Sequence, residues 1–123
     1  MRNRISRSSI ILALLFYGGV LRAQTLLESG ISSYNSGDYQ TAISNLESYL
    51  EADSTSESAY AYLARAYMDS KQIARAQKTL ELGINHISNS VQLLAMLGQI
   101  YGNQKEYIKA QRALEQCQKL HYN

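Results

Sequence analysis

Apolar residues recur along the chain at helical spacing. Tyr60, Leu63 and Tyr67 stand at i, i+3 and i+7, and Leu27, Ile31 and Tyr34 form a similar stripe. This is the periodicity of a helix with one buried face. Ahead of these stripes, Ile10 to Leu21 is an apolar run interrupted only by Gly18 and Gly19, with Arg2, Arg4 and Arg7 before it and Ala23 behind it. A basic start, a short apolar run and a small boundary residue are the three parts of an export signal. The run is shorter than the roughly 20 residues of a membrane-spanning helix. The expected leader is therefore 1–23, cut after Ala23; an uncleaved membrane tether is the alternative.

The remainder repeats. Ala42, Ala76 and Ala110 are 34 apart, as are Leu46, Leu80 and Leu114. Tyr39, Ile73 and Tyr107 form a third column at that spacing, and Glu47, Glu81 and Glu115 a fourth. Four columns sharing one period predict three copies of a single supersecondary unit, over about 24–56, 57–90 and 91–123. Gly37 and Asp38 suit a helix end and a turn. Ser54 with Glu57 predicts a capping box for the helix that follows.

The second copy reads Tyr60, Leu63, Ala64, Tyr67, Ala76 and Leu80, and the third Leu94, Leu97, Gly98, Tyr101, Ala110 and Leu114. In these positions the chain resembles the tetratricopeptide repeat family, closely from Gly37 onward and loosely before it. The resemblance implies an all-α solenoid of three helix–turn–helix repeats, about six antiparallel helices, following the N-terminal signal segment. It also implies a concave groove lined by the first helix of each repeat, on the face away from the Tyr60 stripe. That groove would comprise Ala61, Arg65, Met68 and Asp69 from the second repeat, and Ala95, Gln99 and Asn103 from the third. Leu27, Ile31 and Tyr34 would line its first-repeat end. Some family members grip a terminal carboxylate there with Lys, Arg and Asn; beyond Arg65 and Asn103 this chain lacks those residues, so that mode is not expected.

At the other end, Leu50 and Ile84 have Gln118 as their third counterpart, the polar change expected of a terminal repeat. Leu114, Cys117 and Leu120 remain as an apolar strip on the last helix. This reading favours packing within the strip's own repeat; docking of a second copy or a partner is the alternative. The glutamate column is read as a solvated face, since Glu81 lies three after Lys78 and Glu115 four before Lys119.

Composition sharpens this picture in three places. The absence of proline permits uninterrupted helices, and a single cysteine permits no internal disulfide. The formal charge of +2 comes from 12 basic and 10 acidic residues. Removal of the leader with its four arginines leaves 8 basic against 10 acidic residues, a charge of −2 on 100 residues, and nucleic acid drops out as a partner. His86 and His121 have no companion at metal-ligand spacing, and no phosphate loop, nucleophile elbow or zinc-protease motif occurs. The expectation is a non-enzymatic module of the cell envelope, the periplasm in the first instance. It needs no cofactor or metal, holds a protein or peptide in its groove, and leaves self-assembly through the last helix as the runner-up.

Overall fold

A computed structural model describes residues 6–122 and places six helices there: α1 (Arg7–Asn35), α2 (Tyr39–Ala52), α3 (Glu57–Asp69), α4 (Ile73–His86), α5 (Val91–Asn103) and α6 (Tyr107–Tyr122). Arg2 and Arg4 of the expected leader lie outside the described residues. The helices pair as α1–α2, α3–α4 and α5–α6, and each pair packs on the next through α2–α3 and α4–α5. The fold is the all-α repeat solenoid that the resemblance implied.

The local signals that end and start these helices also repeat. Gly37, Lys71 and Lys105, each 34 apart, sit in the turns between paired helices with φ of 83°, 66° and 62°. The left-handed conformation that glycine adopts freely is thus imposed on two lysines. Asp38 caps α2 by accepting from Thr41 N at 3.2 Å. The predicted capping box at Ser54 is corrected. Ser56 is the N-cap of α3, its Oγ accepting from Ala59 N at 3.2 Å. Ser54 instead offers its carbonyl to the Tyr60 hydroxyl at 3.0 Å, because Asp53 draws Thr55 into a tight turn that carries the cap two residues onward. Ser90, 34 after Ser56, caps α5 by accepting from Leu93 N at 3.1 Å.

The core follows the columns. Ala42, Ala76, Leu46 and Leu80 are fully buried, together with Ala59, Ala64, Ala66 and Leu93. Small residues allow close approach: a Cβ on Gly30 would stand 2.7 Å from Leu46 Cγ, and one on Gly83 2.8 Å from Tyr60 Cγ. The Leu column breaks at its third member. Leu114 is 55% exposed, so it does not pack within its own repeat as expected, whereas Cys117 and Leu120 are half-buried. The reason is positional: Leu46 and Leu80 are covered by the helix pair that follows, and no described helix follows α6.

Helix α1 passes through residue 23 without a break. Its first half stands clear of the stack, with Ile10, Leu12, Leu15, Phe16 and Leu21 all exposed. Packing against the core begins at Ala23 and continues through Leu26, Leu27 and Tyr34. By length and composition α1 could cross a membrane, with a mean hydropathy of 1.8 in its best window, a test that N-terminal signal sequences also pass.

Candidate functional site

The stack has two unlike sides. Successive first helices touch, α1 with α3 and α3 with α5, while among the described residues α2, α4 and α6 do not touch one another. Helices that converge on one side and splay on the other make the first-helix side the inner wall of the curve.

On that inner wall the ring of Tyr62 is the hub. Tyr34 meets it edge-on with centroids 5.5 Å apart, and the Arg65 guanidinium lies over its other neighbourhood at 5.3 Å from the centroid. The Tyr34 hydroxyl donates to Asp69 Oδ2 at 2.8 Å, tying α1 to α3. Burial, and then this carboxylate, push the Tyr34 pKa up to about 12. Gln92 of α5, with its amide turned to satisfy both neighbours, donates to Glu57 at 3.0 Å and accepts from Arg65 at 3.3 Å. Arg65 is thereby braced by a ring on one side and an amide on the other. It retains donors for a ligand, because a guanidinium has five.

The structure brings Tyr34, Arg65 and Asp69 together around Tyr62, and Gln99 and Asn103 are exposed residues of α5. Ala61 is corrected: it is 1% exposed and belongs to the core. Helix α3 has first helices on both sides, α1 and α5, while α5, which carries the exposed counterpart Ala95, has α3 alone beside it among the described residues. Leu27 and Met68 are partly buried against the core and contribute support more than surface, and Ile31 is half-buried. Tyr62, Gln92 and Glu57 were missed. Tyr62 stands seven before Asp69 and three before Arg65, so the helical spacing of its polar neighbours was the available signal.

The outer side carries a groove of about 790 Å³ between α2 and α4. Tyr60, Leu63 and Tyr67 of α3 form its floor, Glu47 and Glu51 one wall, and Arg75, Lys78 and His86 the other. Leu82, half exposed, stands at its edge. The stripe read as packing is buried beneath this groove, with Tyr60 1% and Leu63 and Tyr67 each 4% exposed. The glutamate column is corrected in part: Glu47 and Glu115 are exposed as read and Glu81 is half-buried, but the first two members also hold tyrosines. Glu47 accepts the Tyr67 hydroxyl, and Glu81 Oε1 accepts the Tyr101 hydroxyl at 2.9 Å, each bond joining the second helix of one repeat to the first helix of the next. Burial, and then these carboxylates, push both tyrosine pKa values up to about 12. Arg75 lies over the Tyr67 ring at 5.9 Å. The third member, Glu115, accepts among the described residues only from Gln111 of its own helix, at 2.9 Å.

The remaining candidates are quiet. Cys117 directs its thiol to the Val91 carbonyl at 3.7 Å, and burial raises its pKa, which makes it a poor nucleophile. Among the described residues no group of three His, Cys, Asp or Glu side chains is arranged to hold a metal ion.

These features define a short helical-repeat solenoid with an inner wall of aromatic and charged side chains. The chain belongs to the tetratricopeptide repeat family, whose repeat matches residues 34–100 and, in a second form, 91–121. Its fold is similar to that of the first such domain of human RPAP3, with a TM-score of 0.72 at 22% identity, covering 82% of this chain and 80% of that one. It is also similar to the first such domain of Spaghetti (RPAP3) bound to the HSP90 peptide SRMEEVD, with a TM-score of 0.74 at 21% identity over 84% and 82% of the two chains. A third likeness is to the Yersinia enterocolitica type III secretion translocator chaperone SycD in an alternative dimer, with a TM-score of 0.74 at 18% identity over 82% and 76%. No curated protein matches the chain in sequence.

Proposed function

We propose that the chain is a non-enzymatic interaction module that holds a segment of a protein partner along its inner wall. The observation that carries this reading is the Tyr34–Tyr62–Arg65 cluster, in which two rings and a braced guanidinium lie on the converging side of the stack. Such a surface offers flat apolar area with little side-chain entropy to lose, beside one fixed cation for a carboxylate or carbonyl. The fold adds support, since a similar domain is one bound to the peptide SRMEEVD. The segment held here is different in kind: one cation, the Asp69 carboxylate and the amides of Gln92 and Gln99 suit a mixed polar and aromatic segment better than a strongly acidic tail.

The test is in-cell crosslinking followed by recovery of the partner, comparing the natural chain with a Tyr62→Ala/Arg65→Ala variant. The variant loses the adduct while Leu82→Asp, on the outer groove, keeps it. Retention by the first and loss by the second would move the site to the outer face.

The setting belongs to the same proposal. The exposed run Ile10–Leu21 is read as an export signal cut after Ala23, which delivers the module to the cell envelope. Support comes from the point at which burial begins, because Ala23 is the first residue packed on the core and its removal leaves the Leu26 and Leu27 contacts in place. N-terminal sequencing of the accumulated protein should begin at Gln24; a start at Met1 would refute cleavage and favour the tethered form.

A further inference from the structure

Helix α6 ends the described stack with an open junction. At the preceding junction Glu81 Oε1 accepts two donors, Gln77 Nε2 from one turn earlier and the Tyr101 hydroxyl from the next repeat, both at 2.9 Å. One period on, Gln111 and Glu115 reproduce the first half of that cluster at the same 2.9 Å, and the tyrosine place is open. Beside it lie Leu114, Tyr107 and Ile108, which are 55%, 67% and 70% exposed. Tyr107, Ile108, Gln111, Leu114, Glu115 and Gln118 recur at three- and four-residue steps and so share one helix face. The Tyr107 hydroxyl has no hydrogen-bond partner among the described residues.

We infer that this face is a symmetric dimer interface, in which α6 of one protomer lies antiparallel against α6 of a second copy with Gln111 on the two-fold axis. In an antiparallel pair centred on Gln111, position 108 of one helix meets position 114 of the other, and position 107 meets position 115. Ile108 then packs on Leu114 and the Tyr107 hydroxyl reaches Glu115, each contact occurring twice, as an isologous interface requires. The second copy supplies what the face lacks: apolar cover for Leu114 and a phenol hydroxyl for Glu115, in the same chemistry that joins the repeats within one chain. The polar end of the face, at Gln118, runs past the start of the partner helix at Tyr107. A foreign helix would also bury Leu114, but this register also gives Glu115, which already accepts from Gln111, the phenol that Glu81 has in Tyr101.

The test is site-directed crosslinking in cells producing the full chain, with Cys117→Ser removing the native thiol and a short bismaleimide as the probe. Gln111→Cys should give a covalent homodimer. Gln118→Cys alone should give none, because its two copies stand roughly 21 Å apart along the axis at 1.5 Å of rise per residue. Leu114→Asp should abolish the Gln111 crosslink without changing helix content, since Leu114 is exposed in the protomer. Absence of a Gln111 homodimer, equal crosslinking by Gln118→Cys alone, or a Gln111 adduct to a different protein would each overturn the inference.

Discussion

The bond between Tyr101 and Glu81 gives the sharpest test of how the repeats are joined. Its hydroxyl–carboxylate distance is 2.9 Å, and both residues are half-buried at the α4–α5 junction. Hydrogen bonds to charged groups contribute about 1.5–3 kcal/mol when well enclosed. Glu81 here keeps a second donor in Gln77, so Tyr101→Phe does not leave a carboxylate without partners. The expected cost is therefore near the low end, about 1.5 kcal/mol, with a coupling of about 1 kcal/mol in a double-mutant cycle with Glu81→Gln. Urea titration of the four proteins, followed by circular dichroism, measures both. The pH dependence supplies a second handle. The folded pKa of Tyr101 is raised from 10.0 to about 12, so its stabilisation is complete below pH 10 and disappears as pH passes through 12. The stability gap between the natural chain and Tyr101→Phe should close across that window. A coupling indistinguishable from zero, or a gap that stays constant to pH 12, would refute the clasp.

Three further outcomes follow from the same geometry. Lys71→Gly and Lys105→Gly each relieve a left-handed non-glycine residue, and each should raise stability by about 1 kcal/mol in thermal or urea melts. Gly83→Ala places a methyl 2.8 Å from the buried Tyr60 ring and 2.9 Å from Leu93 Cδ1. Overpacking of about 1–3 kcal/mol should exceed the gain of about 1 kcal/mol in helix propensity and lower the melting temperature. Ser90→Ala removes the cap of α5 at a buried position and should cost about 1–2 kcal/mol, seen as faster amide exchange in the first turn of that helix.

Much of this architecture was legible because a repeat protein writes its packing several times. The Ala42, Ala76 and Leu46, Leu80 columns are the fully buried positions, and Gly37 marks a turn that Lys71 and Lys105 copy. What escaped the sequence were relations between different helices. The Tyr67–Glu47 and Tyr101–Glu81 bonds each span 20 residues, a separation set by how one repeat leans on the next and by no local rule. Ala61 illustrates the same limit. Its helical position matches that of the exposed Ala95, and the two differ in that α3 has a first helix on each side and α5 on one among the described residues. The cap moved from Ser54 to Ser56 because two serines compete, and the Asp53–Thr55 turn decides between them. For the inner wall, Arg65 and Asp69 could be read from spacing, but Tyr62 was hidden by being one residue past a position assigned to the groove.

The claim that the inner wall holds a protein segment is tested most directly by a photo-crosslinking amino acid placed at two positions of the full chain in its native cells. One replaces Gln99, exposed on α5 seven residues after the Gln92 that meets Arg65, and the other replaces Lys78, on the wall of the outer groove. A discrete protein adduct at Gln99 that disappears when Tyr62→Ala and Arg65→Ala are added, with none at Lys78, is the predicted result. An adduct confined to Lys78, or one at Gln99 indifferent to those two substitutions, would contradict it.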